Sequence, residues 1–346
     1  MLPRGLRWRA LLLANANPGD TVDDRIHPRR WGITVPFNDG PLHEQKALVE
    51  QAESLGYTDL WSAEAMGVDG MSPLLLGSQW APSMRLGTAI LPSFTRGPAL
   101  MASTVAGMCE AAPGRFVLGL GTSSNVIVEN WNDIEFSEPY KRTRDMVRFL
   151  RVALTGEKVT QKYDTFEVDG FRLMAQVQEQ PKIFVAALRA GMLAMAGRES
   201  DGAILNWLAP EDLETIVPIV KDENPEAEIA ARLFVVPTDD AERARAIARF
   251  LMGIYINVPV YRAFHEWMGR GAAMQQHWDL WASGDRKGAM AALPDEVVDS
   301  LVIHGTGEQC KARINEYMDA GIDTAAIAIV MGSGTSDSDA LEMLAP

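Results

Sequence analysis

Residues 85–124 read RLGTAILPSFTRGPALMASTVAGMCEAAPGRFVLGLGTSS, and this stretch decides the fold. Two short runs within it, LGTAIL from residue 86 and RFVLGLG from residue 115, lack polar alternation, which predicts parallel strands buried on both faces. The segment ALMASTVAGMCEAA between them has the length of a helix. A helix that connects two parallel strands forms a crossover, and such crossovers are nearly always right-handed.

Small and polar residues follow both predicted strands. The first is followed by Pro92, Ser93, Thr95 and Arg96, and the second by residues 121–124. Because parallel strands end at the same side of a sheet, we expect these residues to face one another across a shared edge. Ligands of α/β proteins bind at this edge, so the stretch predicts a ligand site as well as a fold.

Similar apolar runs recur along the whole chain with helical segments between them. Eight strands that alternate with helices predict a closed (β/α)8 TIM barrel, which we place in a single domain over residues 31–346. The predicted strands are WGITVP at residue 31, TDLWSA at 58, LGTAIL at 86, RFVLGLG at 115, KIFVAA at 182, DGAILNW at 201, ARLFVVP at 231 and TAAIAIV at 324.

Two stretches of the chain are longer than simple connections. Residues 122–181 contain a loop with Trp131, a predicted helix and a predicted hairpin around KYDTFEVDGFRLM, and residues 239–299 predict several helices rich in aromatic residues. Long insertions after strands usually build or cover a site. The aromatic residues of the second insertion are expected either to pack helices together or to form the apolar wall of a substrate pocket.

Composition excludes several classes of function. The formal net charge of −14 argues against nucleic-acid binding, which draws much of its affinity from clustered Lys and Arg. Cys109 and Cys310 are too few and too far apart for a disulfide framework, and no metal-ligand spacing is present. A reducing, cytoplasmic location is therefore expected.

The first thirty residues differ from the rest and predict a poorly ordered leader. Their apolar run, ALLLA, is shorter than the core of a signal peptide, and no later segment approaches the length of a membrane span. We therefore expect a protein that has neither a membrane nor a nucleic acid as its partner.

The motifs and their order resemble the bacterial luciferase-like superfamily and, within it, the oxidoreductases that depend on the deazaflavin F420. The resemblance covers about residues 31–331. It implies a TIM-barrel enzyme with the deazaflavin ring over the C-terminal ends of the strands and the cofactor phosphate at a helix N-terminus. It is carried by GTAILPSFTRGPALMAS, APGRFVLGLGTSSNVIVENW, EPYKRTRD and VAALRAGMLAMAGRESDGAILNW.

The resemblance also implies positions that contact the cofactor ring. A cis, non-proline peptide is expected between Ala89 and Ile90, where the third strand of the family supports one face of the ring. Gly121 has no side chain to block a ring or ribityl chain, and the hydroxyls of Thr122 and Ser123 can form hydrogen bonds. The remaining expected contacts are Thr88 and Asn206.

The phosphate is expected at the start of the helix that follows the fifth strand. Residues Leu188, Arg189, Ala190, Gly191 and Met192 enter this helix, where free backbone amides and the helix dipole favour an anion. Family members often have a Gly-Pro pair here. Arg189 and Ala190 replace that pair, so Arg189 is expected to bind the phosphate directly, unless it is simply an exposed arginine at a helix start.

Glu64 and Ser124 are the candidate catalytic residues. Glu64 lies in SAEAM after the second strand, where F420-dependent sugar-phosphate dehydrogenases have an acid followed by a histidine, but here Ala65 replaces the histidine. Ser124 occupies the position of a general-acid glutamate in those enzymes. Sugar-phosphate oxidation is therefore not expected, and Glu64 is left to hydrogen-bond the ring, to relay a proton or to play a structural role.

Three functions remain open at this point. The favoured hypothesis is hydride transfer between F420 and a small organic substrate. The alternatives are an FMN-dependent luciferase-like monooxygenase, because this fold also serves reduced FMN, and a non-catalytic deazaflavin-binding protein. The resemblance also implies a homodimer that associates through helices near the second and third strands.

Overall fold

The structure is a computed structural model that describes residues 26–346. Most of the predicted leader lies outside the described residues. The strands of the main sheet are β1 (Arg30–Thr34), β2 (Asp59–Ser62), β3 (Arg85–Thr88), β4 (Phe116–Gly121), β5 (Lys182–Ala186), β6 (Gly202–Asn206), β7 (Glu228–Pro237) and β8 (Thr324–Ile329), with short strands at Leu91–Pro92 and Ile303–Gly305.

Helices cover the outside of this sheet. They are α1 (Lys46–Ser54), α2 (Ser72–Trp80), α3 (Pro98–Ala111), α4 (Pro139–Ala153), α5 (Ala190–Glu199), α6 (Leu213–Glu223), α7 (Ala241–Tyr255), α8 (Pro259–Trp267), α9 (Gly271–Ala282), α10 (Arg286–Ala291), α11 (Asp295–Leu301), α12 (Gly307–Ala320) and α13 (Asp337–Leu344). Within residues 26–346, none of these helices combines the length and apolar character that a bilayer crossing requires.

The sheet closes on itself. Each of β1 to β7 pairs in parallel with the next strand, and β8 pairs with both β7 and β1. The eight predicted strands are all present and the predicted TIM barrel is confirmed. Most boundaries agree to within two residues, and two differ by three: β3 stops at Thr88 instead of continuing to Leu91, and β7 begins at Glu228, three residues before the predicted run.

Large rings and glycines share the interior of the barrel. The buried indole of Trp61 stacks near the ring of Phe184, with the two centroids 6.4 Å apart. A Cβ added at Gly32 would lie 2.7 Å from Cδ1 of Trp61, and one added at Gly87 would meet the same indole more closely still. A Cβ at Gly202 would lie 2.8 Å from the ring of Phe184. These glycines therefore make room for the rings.

A network of ion pairs closes the N-terminal end of the barrel. Arg85 lies 2.8 Å from Asp59 on β2 and 2.7 Å from Glu228 on β7, so it bridges opposite sides of the barrel. Arg30 also contacts Asp59, at 2.6 Å, and Lys182 contacts Glu228, at 3.0 Å. Burial alone would raise the pKa of Glu228, but the charges of Arg85 and Lys182 outweigh burial and lower it to about 2.

Both insertions lie where the sequence predicts them. The first contains a helical turn, Val126–Trp131, then α4 and an antiparallel hairpin of Val159–Lys162 with Glu167–Phe171. The second contains α7 to α11, which pack against the C-terminal half of β7. On the other side of the barrel, α2 and α3 expose Leu75 and Leu100. The homodimer expected through these helices stays a prediction.

Gly32→Ala tests the packing of rings against glycines. We expect it to lower the free energy of unfolding by about 1–3 kcal/mol, because the new methyl group overlaps the indole of Trp61. Gly107→Ala is the control, since a Cβ at this exposed position of α3 meets nothing within 4 Å and alanine favours a helix. Chemical denaturation measures both, and equal stabilities of the two variants would contradict this account.

The ion pairs at the base of the barrel predict a dependence of stability on pH. Because the pKa of Glu228 falls from 4.5 to about 2 on folding, its stabilising effect is complete above pH 4.5 and is lost as the pH falls toward 2. The effect amounts to about 3 kcal/mol. In Glu228→Gln, the free energy of unfolding measured by chemical denaturation should fall less steeply below pH 4.5 than in the wild type. Glu226→Gln, at an exposed position nearby, should show the same fall as the wild type.

Candidate active site at the C-terminal mouth of the barrel

The C-terminal end of β3 carries a backbone irregularity. The peptide bond between Ala89 and Ile90 is cis, which confirms the prediction made from the resemblance. The chain then turns back to the sheet and pairs Leu91 with Leu120 of β4. The carbonyl oxygen of Ile90 accepts a hydrogen bond of 3.1 Å from the backbone N–H of Glu64. The segment therefore ties together the ends of β2, β3 and β4.

Small apolar residues form a floor beside the cis peptide. Ala89, Ile90 and Ala186 are half-buried and cover the interior cluster around Trp61 and Phe184. A Cβ at Gly121 would lie 2.9 Å from Cγ1 of Ile90 and 3.0 Å from Cβ of Ala186. Because Gly121 has no side chain, these groups come together into one low apolar surface, which is called the floor below.

Thr88 lies beneath this floor. It is fully buried, and its hydroxyl accepts a hydrogen bond of 2.8 Å from the N–H of Gly119 and donates one of 2.9 Å to the carbonyl of the same residue. A Cβ at Gly119 would overlap the carbonyl oxygen of Thr88. The Thr88 side chain therefore joins β3 to β4, and its hydroxyl is not available to a ligand in the mouth.

The hydroxyl residues after β4 are half-buried around the start of the first insertion. Thr122 donates to the carbonyl of Ser123 at 3.2 Å, and Ser123 adopts a left-handed backbone conformation with φ 61°. The hydroxyl oxygen of Ser124 accepts a hydrogen bond of 3.4 Å from the N–H of Ile127. Thr122 donates its hydroxyl proton and so can only accept a further hydrogen bond, whereas Ser124 accepts one and keeps its proton to donate.

The helix after β5 begins with exposed residues. Arg189 is the N-cap of α5 and has an extended backbone, while Ala190 and Gly191 follow it on the surface. Leu188 and Met192 pack partly against the core. Across residues 26–346 the guanidinium of Arg189 has no hydrogen bond or ion pair, and the first amides of α5 have no side-chain cap. This helix start therefore offers a cation and free N–H donors to an anion.

Glu64 is held by an ion pair that sequence reasoning missed. Both carboxylate oxygens meet the guanidinium of Arg96, at 2.6 and 2.7 Å, and one also accepts from the backbone N–H of Gly70 at 3.2 Å. The two side chains are only 18% and 16% exposed. Arg96 stands out in the sequence as a charged residue after a strand, but only the turn at the cis peptide aims it at Glu64.

Asn206 ends β6, the strand next to β5, which carries Ala186 of the floor. Its Nδ2 donates a hydrogen bond of 3.0 Å to the hydroxyl of Tyr261, and its buried Oδ1 has no partner among the described residues. Burial raises the pKa of Tyr261 to about 12, so this phenol keeps its proton at neutral pH and can donate it to a hydrogen bond. Asn206 and Tyr261 therefore offer one acceptor and one donor to a ligand.

The aromatic residues of the second insertion divide into two groups. In the first, Tyr255 and Tyr261 meet edge-on, and Tyr255 packs with Trp207, which follows β6, and with Phe234 of β7; the ring centroids of these last two residues lie 4.2 Å apart. The others pack among the helices, including His265 and His277, whose pKa values are lowered by burial. Most aromatic residues of the insertion therefore pack helices together, whereas Tyr255 and Tyr261 lie next to the mouth.

The structure brings most of the predicted site residues to one end of the barrel. Glu64, Ile90, Gly121 and Asn206 belong to the ends of four different strands, and Arg189 adds the start of α5. The fold and these features define a TIM-barrel protein whose C-terminal face has an apolar floor, flanked by hydroxyls and a helix N-terminus, with a shape and charge that suit a flat, anionic ligand.

Comparison with known proteins agrees with this class. The luciferase-like monooxygenase profile matches residues 18–324. A 5,10-methylenetetrahydromethanopterin reductase of Methanolobus tindarius is 27% identical over 304 residues, which cover 85% of this chain and 91% of the relative. The chain belongs to the luciferase-like monooxygenase family, whose members are enzymes.

Solved structures show the same fold at lower identity. The coenzyme F420 dependent tetrahydromethanopterin reductase of Methanopyrus kandleri superposes with a TM-score of 0.77 at 20% identity, covering 92% of this chain and 97% of the other. The oxygenating constituent of 3,6-diketocamphane monooxygenase from Pseudomonas putida, in complex with FMN, gives 0.65 at 14% identity, with coverage of 92% and 97%. The shared fold is therefore found both in an F420-dependent reductase and in a monooxygenase that is in complex with FMN.

Substitution of Glu64 tests the ion pair at the mouth. Glu64→Gln keeps the side-chain volume but leaves the guanidinium of Arg96 without its carboxylate, so we expect the free energy of unfolding to fall by about 1–3 kcal/mol. A double-mutant cycle with Arg96→Met measures the coupling, which should be about 1 kcal/mol or more. If the two substitutions have additive effects, the pair does not stabilise the site.

Proposed function

We propose that the protein is an F420-dependent oxidoreductase that transfers a hydride between the deazaflavin and a small organic substrate. The observation that carries this proposal is the floor of Ala89, Ile90 and Ala186, with the uncapped start of α5 on one side of it. A flat ring system with a phosphate-bearing chain needs these two surfaces together. The F420 dependence of the Methanopyrus reductase that shares the fold supports the same assignment.

The residues present fit such a cofactor. The floor exposes apolar atoms to one face of a ring, and an added side chain at Gly121 would crowd this surface. Thr122 and Ser123 offer hydrogen bonds at its edge, and a Cβ at Gly191 would meet nothing within 4 Å, so the start of α5 is open. Arg189 and the free amides that follow it would hold the phosphate.

Hydride chemistry is supplied by F420 when it is bound, and the residues of this chain position the reactants and exclude water. The cis peptide and Gly121 set the height of the floor on which a ring would rest. The rings of Phe234 and Tyr255 limit solvent on the opposite side of the mouth. Placement of this kind lowers the entropic barrier to reaction between two bound molecules.

Glu64 and Ser124 are the candidate groups for proton transfer at the mouth. Glu64 accepts two hydrogen bonds from Arg96, so both of its carboxylate oxygens are already engaged and its role is to orient a neighbouring group. Ser124 keeps a hydroxyl proton for donation. Since Ala65 and Ser124 replace the histidine and glutamate of the sugar-phosphate enzymes, we assign a different substrate to this protein.

An FMN-dependent monooxygenase is the second candidate. The observation that favours it is the fold shared with the Pseudomonas monooxygenase, which is in complex with FMN. FMN also combines a flat ring with a phosphate, so the floor and the start of α5 suit it as well. The third hypothesis, binding of deazaflavin without turnover, draws on the replacement of the two proton-handling residues.

Cofactor titration tests the proposal. We expect F420 to bind more tightly than FMN, and Arg189→Gln to weaken F420 binding about 10-fold through loss of a charge-assisted hydrogen bond to the phosphate. Arg198→Gln is the matched control, because Arg198 lies near the other end of α5 and pairs with Glu223. Quenching of F420 fluorescence measures the affinity for F420, and quenching of FMN fluorescence measures the affinity for FMN.

Three outcomes of this titration contradict parts of the proposal. Tighter binding of FMN, with oxygen uptake coupled to product formation, would favour the monooxygenase. Binding of F420 without any substrate-dependent oxidation of the reduced form, over a panel of enones, imines and quinones, would favour the non-catalytic protein. Equal F420 affinities of the Arg189→Gln and Arg198→Gln variants would remove Arg189 from the phosphate site.

A further inference from the structure

One arginine faces the interior of the barrel near its mouth. Arg232 lies on β7 two residues after Ala230, which belongs to the interior cluster, so strand alternation turns Arg232 to the same face. It is the one half-buried residue of β7, and its guanidinium lies 4.9 Å from the centroid of the Phe234 ring, further toward the C-terminal end. The charge therefore points up toward the mouth.

This guanidinium lacks an anionic partner. Arg85 and Arg30 at the base of the barrel pair with Asp59, and Arg96 at the mouth pairs with Glu64. Over the described part of the chain, Arg232 forms neither an ion pair nor a hydrogen bond, and its guanidinium packs on the face of the Phe234 ring. A half-buried cation without a counter-charge attracts an anion strongly, because water screens the charge only in part.

Polar groups with free capacity lie next to Arg232. Asn206 is its direct neighbour in the register of β6 with β7 and has the unpartnered Oδ1. Tyr261, which accepts from Asn206, keeps its own hydroxyl proton to donate. Arg232 and Tyr261 are therefore two hydrogen-bond donors, and Oδ1 of Asn206 is an acceptor. Two donors can orient an oxyanion, and the acceptor can bind a polar group next to it on the same ligand.

Arg232 itself lies on a strand that contributes nothing to the cofactor surface. The floor belongs to β3, β4 and β5, and the phosphate donors begin α5, whereas β7 lies opposite β3 in the closed order of strands. A ring on the floor would therefore present its free face toward β7 and the aromatic group of Trp207, Phe234 and Tyr255. The second reactant must bind against that face for hydride transfer.

We propose that Arg232, assisted by Tyr261 and Asn206, binds a carboxylate of the substrate, so that the protein acts on acidic organic molecules. This inference rests on the proposed function for the role of the bound molecule as a hydride partner. Arg232 determines specificity for the anion, and the half-buried ring of Tyr255 contacts the apolar part of the same molecule. The chain's net charge of −14 gives no general attraction for anions, so this local charge carries the selection.

Binding of benzoate and benzamide tests the proposal without the need for turnover. The two probes share a ring that suits the aromatic wall and differ in charge. Isothermal titration of the F420-loaded protein at pH 7 should show benzoate binding about 10-fold or more tightly than benzamide. Arg232→Gln should weaken benzoate about 10- to 100-fold, to the level of benzamide, and leave benzamide binding unchanged.

Two further variants keep the test informative. Arg232→Lys retains the charge but not the paired donors, so it should recover part of the affinity for benzoate and shows whether the charge or only the side-chain volume matters. Arg286→Gln is the matched control, because Arg286 also stacks on an aromatic ring, 3.9 Å from the centroid of Trp281, but on α10 and away from the mouth. It should leave benzoate binding unchanged.

Three results would contradict the carboxylate site or the proposed cofactor. If the wild-type protein does not distinguish the two probes, or if Arg232→Gln binds benzoate as well as the wild type does, the carboxylate site is wrong. If Arg232→Gln weakens F420 as much as it weakens benzoate, the arginine serves the cofactor and the proposal fails. If benzoate depends on Arg232 but the wild-type protein prefers FMN, the carboxylate site stands and only the proposed cofactor is overturned.

Discussion

Trp61 places an indole ring inside a closed ring of eight strands, between positions 32 and 87 of the two neighbouring strands, which carry no side chains. In a close-packed interior of this kind, a change in the size of one side chain shifts its neighbours. With Phe184 the indole fills the middle of the barrel, and the ion pairs of Arg85 with Asp59 and Glu228 close the end below it. Side chains thereby fill the interior up to the level of the floor.

A filled interior leaves only the C-terminal mouth for chemistry. The floor rests directly on the layer of Trp61 and Phe184, so its height is set by packing underneath and not by the loops above. The sides of the mouth differ in character. One side offers the amides of α5 and Arg189, and the other offers Arg232 with its aromatic neighbours, so two anionic groups can be held at opposite sides of one apolar surface.

Sequence reasoning was most successful where a local pattern has a single structural meaning. Uninterrupted apolar runs between helices predicted all eight strands, and the similarity around residues 89 and 90 predicted the cis peptide. It was less successful for side chains whose partners are distant in the sequence. The pair of Glu64 with Arg96 and the use of the Thr88 hydroxyl between β3 and β4 depend on how strands end, which apolar periodicity does not encode.

The sequence by itself determined the barrel, the end at which proteins of this fold bind ligands and the candidate residues around it, because strand order and strand ends follow from hydrophobic pattern and chain direction. Only the tertiary structure decided which of those side chains are free. It paired Glu64, buried Thr88 and left Arg232 without a counter-ion among residues 26–346, although all three stand at the ends or interior of similar apolar strands. Hydrogen bonds and ion pairs have short range, so their partners are set by distances that exist only after the barrel has closed.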